Sequence, residues 1–224
     1  MAMFQGFNEE TIAFLWGVRF NNERAWFEQN KPSYVNHVYE PIKALGFAVF
    51  EELRARFPDQ EMLCKVSRIY RDARRLHGRG PYKDHMWFAL RRGGGDWTER
   101  PAFWFELAPE GYSYGMGFYS AKASDMERFR RELDANPRRF TEIAEGVAKL
   151  THMTVGGEEY ARKKGEPGGV LNDWYNRKHI SVERSVPYDE QSFSPALKDE
   201  LVESFSALMP LYQWFDEFCS RTDD

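Results

Sequence analysis

Between Arg68 and Arg74 the chain reads Arg-Ile-Tyr-Arg-Asp-Ala-Arg, three guanidinium groups around one carboxylate. If Val66 to Ala73 forms a strand, its side chains alternate faces, so Arg68, Tyr70, Asp72 and Arg74 share one side and Ile69, Arg71 and Ala73 the other. Two arginines flanking an aspartate orient one another. Asp72 can hold one guanidinium through paired hydrogen bonds and leave the other to accept an anion. Pro81-Tyr82-Lys83 follows the Gly78–Gly80 turn, where exposed backbone N–H groups and a lysine can meet a phosphate or carboxylate. The spacing of a P-loop is absent. The candidate ligand-binding set is therefore Arg68, Arg74 and Lys83 on the anion, Asp72 as their orienting carboxylate and Tyr82 as a hydrogen-bond donor. Arg130 and Lys178 join from further along the chain. A salt-bridge ladder that needs no ligand is the competing structural reading of the same residues.

The local charge supports an anionic partner more than the total does. The 224 residues carry a formal net charge of −4, which gives no global attraction to nucleic acid or an anionic membrane. Lys65 to Arg92, however, holds nine basic residues (Arg75 and Arg79 among them) against Asp72 and Asp84, a net +7. Glu183 to Asp224 holds three basic and ten acidic residues, a net −7 that includes Asp223 and Asp224. A small anionic metabolite is the leading partner. The alternative is an interaction or structural module in which the basic segment docks on an acidic partner, such as the C-terminal third of a second copy in a homo-oligomer. A third reading, single-stranded nucleic-acid binding, draws on Tyr70, Tyr82, Trp87 and Phe88 among the basic residues. The net charge and the acidic C-terminal third weigh against it.

Other chemistries find little. His37, His77, His85, His152 and His179 show no H-x-x-x-H or H-E-x-x-H spacing, so no metal is expected. No G-x-S-x-G or G-x-G-x-x-G occurs, and no cofactor is expected. General acid–base work by Asp72, Asp84 or Glu106 is conceivable, but carboxylates beside arginines have depressed pKa values and suit anchoring better.

The elements that must position these residues follow from periodicity. Apolar Ile12, Phe14, Leu15 and Val18 mark a helix over Glu9 to Phe20 with Asn8 as its N-cap. Glu23 to Asn30 reads as a helical turn. A longer helix is expected from about Tyr34 to Phe57, kinked near Pro41 or Gly46. Met62–Tyr70, Asp84–Arg91, Ala102–Leu107 and Tyr112–Tyr119 read as antiparallel strands joined by turns at Gly78–Gly80, Gly93–Gly95 and Pro109–Gly111. Asp125 to Leu133, capped by Ser124, places Met126, Phe129, Arg130 and Leu133 on one helical face. Arg138 to Leu150 is a second helix. Short strands are expected near Met153–Val155 and His179–Val182, and Ser194 to Phe218 closes the chain as a helix or helical pair around Pro210. Helices, then strands, then helices indicate a single α+β domain over residues 1–224, with a central antiparallel sheet of about four or more strands flanked by N- and C-terminal helices. In Trp26-Phe27, Trp87-Phe88 and Trp104-Phe105 alternation sends one ring of each pair inward, and Phe27, Phe88 and Phe105 are read as core. The start, Met1-Ala2-Met3-Phe4, lacks the basic and apolar regions of a secretory signal. No stretch approaches the ~18 apolar residues of a membrane span. With only Cys64 and Cys219, read as reduced thiols, the reading is cytoplasmic.

Several of these pieces together resemble a bacterial and fungal conserved-hypothetical family, a domain of unknown function. They are Asn21-Asn22-x-x-x-Trp26-Phe27 with Lys31 and Tyr34, then Arg68-x-x-Arg71-Asp72-x-Arg74, Pro81-Tyr82-Lys83, and Gly115-x-Gly117 before the helix that carries Arg130. The resemblance runs from about Phe7 to Phe215. It implies one α+β domain with no established activity and no known cofactor.

Overall fold

Asn8 starts the first helix as its side chain predicts. The Thr11 N–H donates to Asn8 Oδ1 at 3.0 Å, the Asn8 N–H donates back to Thr11 Oγ1 at 3.2 Å, and α1 runs over Glu9–Phe20. Here and below, a computed structural model describes residues 3–72, 74, 78–94, 99–150 and 152–221. Of the residues read above, Met1, Ala2, Ala73, Arg75, His77, Gly95, Asp223 and Asp224 lie outside these.

Helix α2 spans Arg24–Ser33 and leads without a break into a π-helical segment, Tyr34–Tyr39, and then α3, Glu40–Arg56. The kink expected at Pro41 takes this form. Proline has no N–H to offer the carbonyl four residues back, which belongs to His37. The widened turn shifts the ladder, with the Glu40 N–H bonding the Val35 carbonyl, and the Thr11 hydroxyl donates to the His37 carbonyl at 2.6 Å. Gly46 lies inside the unbroken α3. It is small because Phe88 lies on it: a Cβ there would come within 2.9 Å of Phe88 Cγ.

The strands are β1 Leu63–Val66, β2 Met86–Arg91, β3 Pro101–Ala108, β4 Gly111–Phe118, β5 Thr154–Gly156 and β6 Ser181–Pro187. They form an antiparallel sheet in the order β1-β2-β3-β4-β6-β5, giving an α+β fold with a central sheet. Helices α4, Ala123–Ala135, and α5, Pro137–Ala148, follow β4. The expected Ser124 cap is displaced: α4 begins at Ala123 with Lys122 as N-cap and no side-chain cap bond. A 3₁₀ turn, Gly169–Leu171, precedes the short α6, Asn172–Tyr175, and α7, Ala196–Ser220, runs unbroken through Pro210.

By compactness the chain divides into two units. The first comprises residues 1–90, 104–114 and 185–203, and the second 91–103, 115–184 and 204–224. In the first, Phe14, Val18, Phe27, Ile42, Leu53, Phe88 and Phe105 form the core, with Phe27, Phe88 and Phe105 fully buried as their place in the Trp-Phe pairs predicts. In the second, Phe129, Phe140, Trp174 and Phe215 are buried. Phe129 and Phe140 meet edge to face, with ring centres 5.1 Å apart. The buried face of α4 is Met126, Phe129, Arg130 and Leu133.

Candidate functional site

The basic segment is a short strand followed by a single bridge, not the continuous strand that its alternation suggests. Ser67 is the reason. Its N–H donates to the Trp87 carbonyl at 2.8 Å, while its hydroxyl oxygen takes the Trp87 N–H at 3.0 Å, so a side chain occupies a rung of the ladder. Pairing resumes beyond it: Lys83 N–H donates to the Ile69 carbonyl and Arg71 N–H to the Pro81 carbonyl, around a bridge between Tyr70 and Tyr82. The alternation of faces survives the interruption. Ile69 is buried and Arg71 half-buried, whereas Arg68, Tyr70 and Asp72 are exposed.

Tyr82 anchors this hairpin. The residue is 3% exposed, and its ring stacks on Phe27 at 4.2 Å between centres, with Tyr70 at 5.4 Å. The Asn22 amide clamps the Tyr82 backbone from both sides, donating to its carbonyl and accepting from its N–H, each at 2.9 Å. Gly80 allows that approach, since a Cβ there would sit 2.2 Å from Asn22 Oδ1. Asn22, two residues past the end of α1, thus ties the start of the chain to this hairpin.

Next to Tyr82, Lys83 is half-buried with its Nζ 5.7 Å from the Trp87 ring centre. Among the described residues its ammonium has no hydrogen-bond or ion-pair partner. Burial pushes its ammonium down from 10.5 to about 8, the nearby Arg71 and Arg68 push the same way, and Glu106 on β3 opposes them only in part. Arg71, which the sequence reading leaves on the opposite face from the anion set, is committed elsewhere. Its Nε donates to the Tyr82 carbonyl at 2.8 Å and its Nη2 lies 3.5 Å from Asp84. Asp84 also accepts from Arg19 Nε at 2.6 Å and lies 3.2 Å from His85 Nδ1. Burial alone would raise the Asp84 carboxyl, but the bonds from Arg19 and His85 outweigh it and hold the group below its usual range. Arg19 bridges onward to Glu110. Beside it, Glu106, Glu110, Tyr112, Ser113 and Ser185 line a cleft of about 340 Å³.

The remaining candidates divide. Arg74 closes on Asp72 through Nε to Oδ1 at 3.0 Å and Nη2 to Oδ2 at 2.7 Å, a paired bond on the surface with the arginine 87% exposed. Arg68 is exposed and has no hydrogen-bond or ion-pair partner among the described residues. Arg130 and Lys178 belong to the second unit. Lys178 pairs with Glu158, and Arg130 is 7% exposed. The structure therefore puts Arg68, Asp72, Arg74, Tyr82 and Lys83 on the two segments joined by the Tyr70–Tyr82 bridge, with Arg71 and Arg68 acting on Lys83 and Asp72 holding Arg74. Arg19 and the clamping role of Asn22 were missed by sequence reasoning, whereas Asp84, read as a carboxylate suited to anchoring, and Arg71, read on the opposite face, are the groups that Arg19 and Tyr82 engage. Asn22 and Arg71 carried a signal as members of the motifs behind the family resemblance, and Asp84 as a carboxylate among arginines; Arg19 carried none.

Neither thiol suits nucleophilic chemistry. Cys64 and Cys219 are free, and burial pushes each up to about 12, with Asp125 adding to the effect at Cys219. Among the described residues no three of His, Cys, Asp and Glu gather as a metal site, and no helix is long and apolar enough to cross a membrane.

Residues 10–214 match the model of a family described as conserved hypothetical protein (DUF2461). No curated protein matches.

Proposed function

The chain belongs to the conserved hypothetical protein family DUF2461, whose description names no activity, and from that premise we propose that it binds a small phosphate- or carboxylate-bearing ligand on the hairpin that carries Lys83. The observation behind this reading is the unneutralised ammonium of Lys83, half-buried beside Arg68 and Arg71. Like charges held together in a partly desolvated place lower one another's proton affinity, and an anion between them reverses the effect. Lys83 supplies the central charge and Arg68, exposed and unpaired among the described residues, supplies a planar donor at the entrance. Arg71 adds field without contact, since its N–H groups serve Tyr82 and Asp84. Asp72 holds Arg74 at the rim. Tyr82 positions the lysine through its buried ring in place of bonding the ligand directly.

Arg68→Ala tests this assignment. Titrated with inorganic phosphate at constant ionic strength, the variant is expected to bind about tenfold more weakly, the loss of one charge-assisted hydrogen bond, with its fold unchanged. Unaltered affinity would remove Arg68 from the site. A gain or loss of mass with salt, in place of phosphate binding, would favour the charge-driven oligomer.

A further inference from the structure

Arg130 is the most anomalous charge in the second unit. It sits on the inner face of α4 with Met126, Phe129 and Leu133, and is 7% exposed. Its Nη1 is buried with no hydrogen-bond partner, and no carboxylate pairs with it among the described residues. Asp134, one turn further along α4, is engaged by the Tyr175 hydroxyl at 2.8 and 3.1 Å. What Arg130 meets is an aromatic ring: its guanidinium lies 5.3 Å from the centre of Tyr160. A second cation meets the same ring, Lys164 Nζ at 4.7 Å. The placement of Lys164 is built, not incidental. The buried Asn176 takes the N–H groups of Lys164 and Gly165 on its Oδ1 at 2.7 and 3.4 Å and donates to the Gly165 carbonyl at 3.0 Å.

Two cations against one neutral ring, one of them buried with an orphaned donor, make an arrangement short of negative charge. A buried arginine persists only where something compensates it, and a ring face compensates weakly. We propose that Arg130, Tyr160 and Lys164 form a phosphate-binding site lying wholly within the second unit. The buried guanidinium is the anchor, exposed Lys164 stands at the rim, and half-buried Tyr160 is the ring that both cations face. Two positive charges match a phosphate dianion better than a monocarboxylate. This site uses none of the residues that place an anion on Lys83, so the two readings fail separately.

The test is calorimetric titration with inorganic phosphate, and with acetate as the monoanion, at constant ionic strength. The proteins are the wild type, Lys83→Met, Arg130→Met and the double variant. Lys83→Met is expected to retain a saturable phosphate site, the double variant none, and acetate to bind at least tenfold more weakly than phosphate. Absence of the residual site in Lys83→Met, its survival in the double variant, or equal binding of acetate would each overturn the proposal. Should Arg130→Met fail to fold, Arg130→Lys keeps the charge but removes the planar fork. In a Lys83→Met background it is expected to lose about tenfold or more in phosphate affinity, and unchanged affinity would overturn the assignment.

Discussion

Replacing Lys83 by methionine is expected to abolish anion binding at the hairpin and, without ligand, to stabilise the protein at neutral pH. The two effects share one cause. Lys83 releases its proton near pH 8 in the folded chain and near 10.5 when unfolded, so between these values the unfolded chain holds more protons and stability rises with pH. Below pH 8 the lysine is charged in both states and its destabilising effect is fully present. Methionine keeps the length and apolar stem of the side chain and removes the charge. After allowance for solvent screening of a half-exposed group, the gain at pH 7 is on the order of 1 kcal/mol, or roughly 2–4 °C for a chain of this size. Thermal unfolding at pH 7 and pH 10 measures it. The variant should melt higher at pH 7, and the gap should close by pH 10. A variant that melts lower at pH 7 would show Lys83 to be a structural ion.

Phe27→Ala is expected to be the most damaging substitution of the hairpin's support. Phe27 is fully buried and meets Phe14, Tyr34, Tyr70 and Tyr82, with ring centres 6.4, 5.6, 5.8 and 4.2 Å away. Truncating a phenylalanine so enclosed costs about 3–5 kcal/mol, a large part of the roughly 5–15 kcal/mol that holds a domain folded. It also takes away the platform on which Tyr82 stacks, so phosphate binding by the folded fraction should weaken. Denaturant unfolding gives the first quantity and titration the second. A loss below about 1 kcal/mol would mean that the ring stack closes over the gap.

The parts of the molecule legible in its sequence are those set by near neighbours. Asn8 and Thr11 lie within one turn, and α1 begins where they place its cap. Helical spacing put Arg130 on the same face as Met126, Phe129 and Leu133, and those four are the buried residues of α4. Alternation sent Phe27, Phe88 and Phe105 inward, and the order of helices and strands gave the α+β class with its antiparallel sheet. What escaped depends on partners distant in the chain. The strand through Arg68 stops because Ser67 bonds the backbone of Trp87, twenty residues on. Arg71 turns to Asp84, and Asp84 to Arg19, sixty-five residues back. The missing bond at Pro41 could be foreseen, but its replacement by Thr11 could not. Among the site residues, the identity of the basic cluster was plain, while the division between spent and unspent cations rests on geometry alone. Arg71 and Arg74 are spent on Asp84 and Asp72, and Lys83 is not.

The most direct test of the central claim is an NMR titration of the Lys83 side chain with pH, without and with saturating inorganic phosphate. The free protein should show the ammonium titrating near pH 8, displaced upward toward its ordinary 10.5 when phosphate is bound. A lysine that titrates near 10.5 in both conditions would contradict the account, since it would have neither the unneutralised charge nor the ligand that answers it.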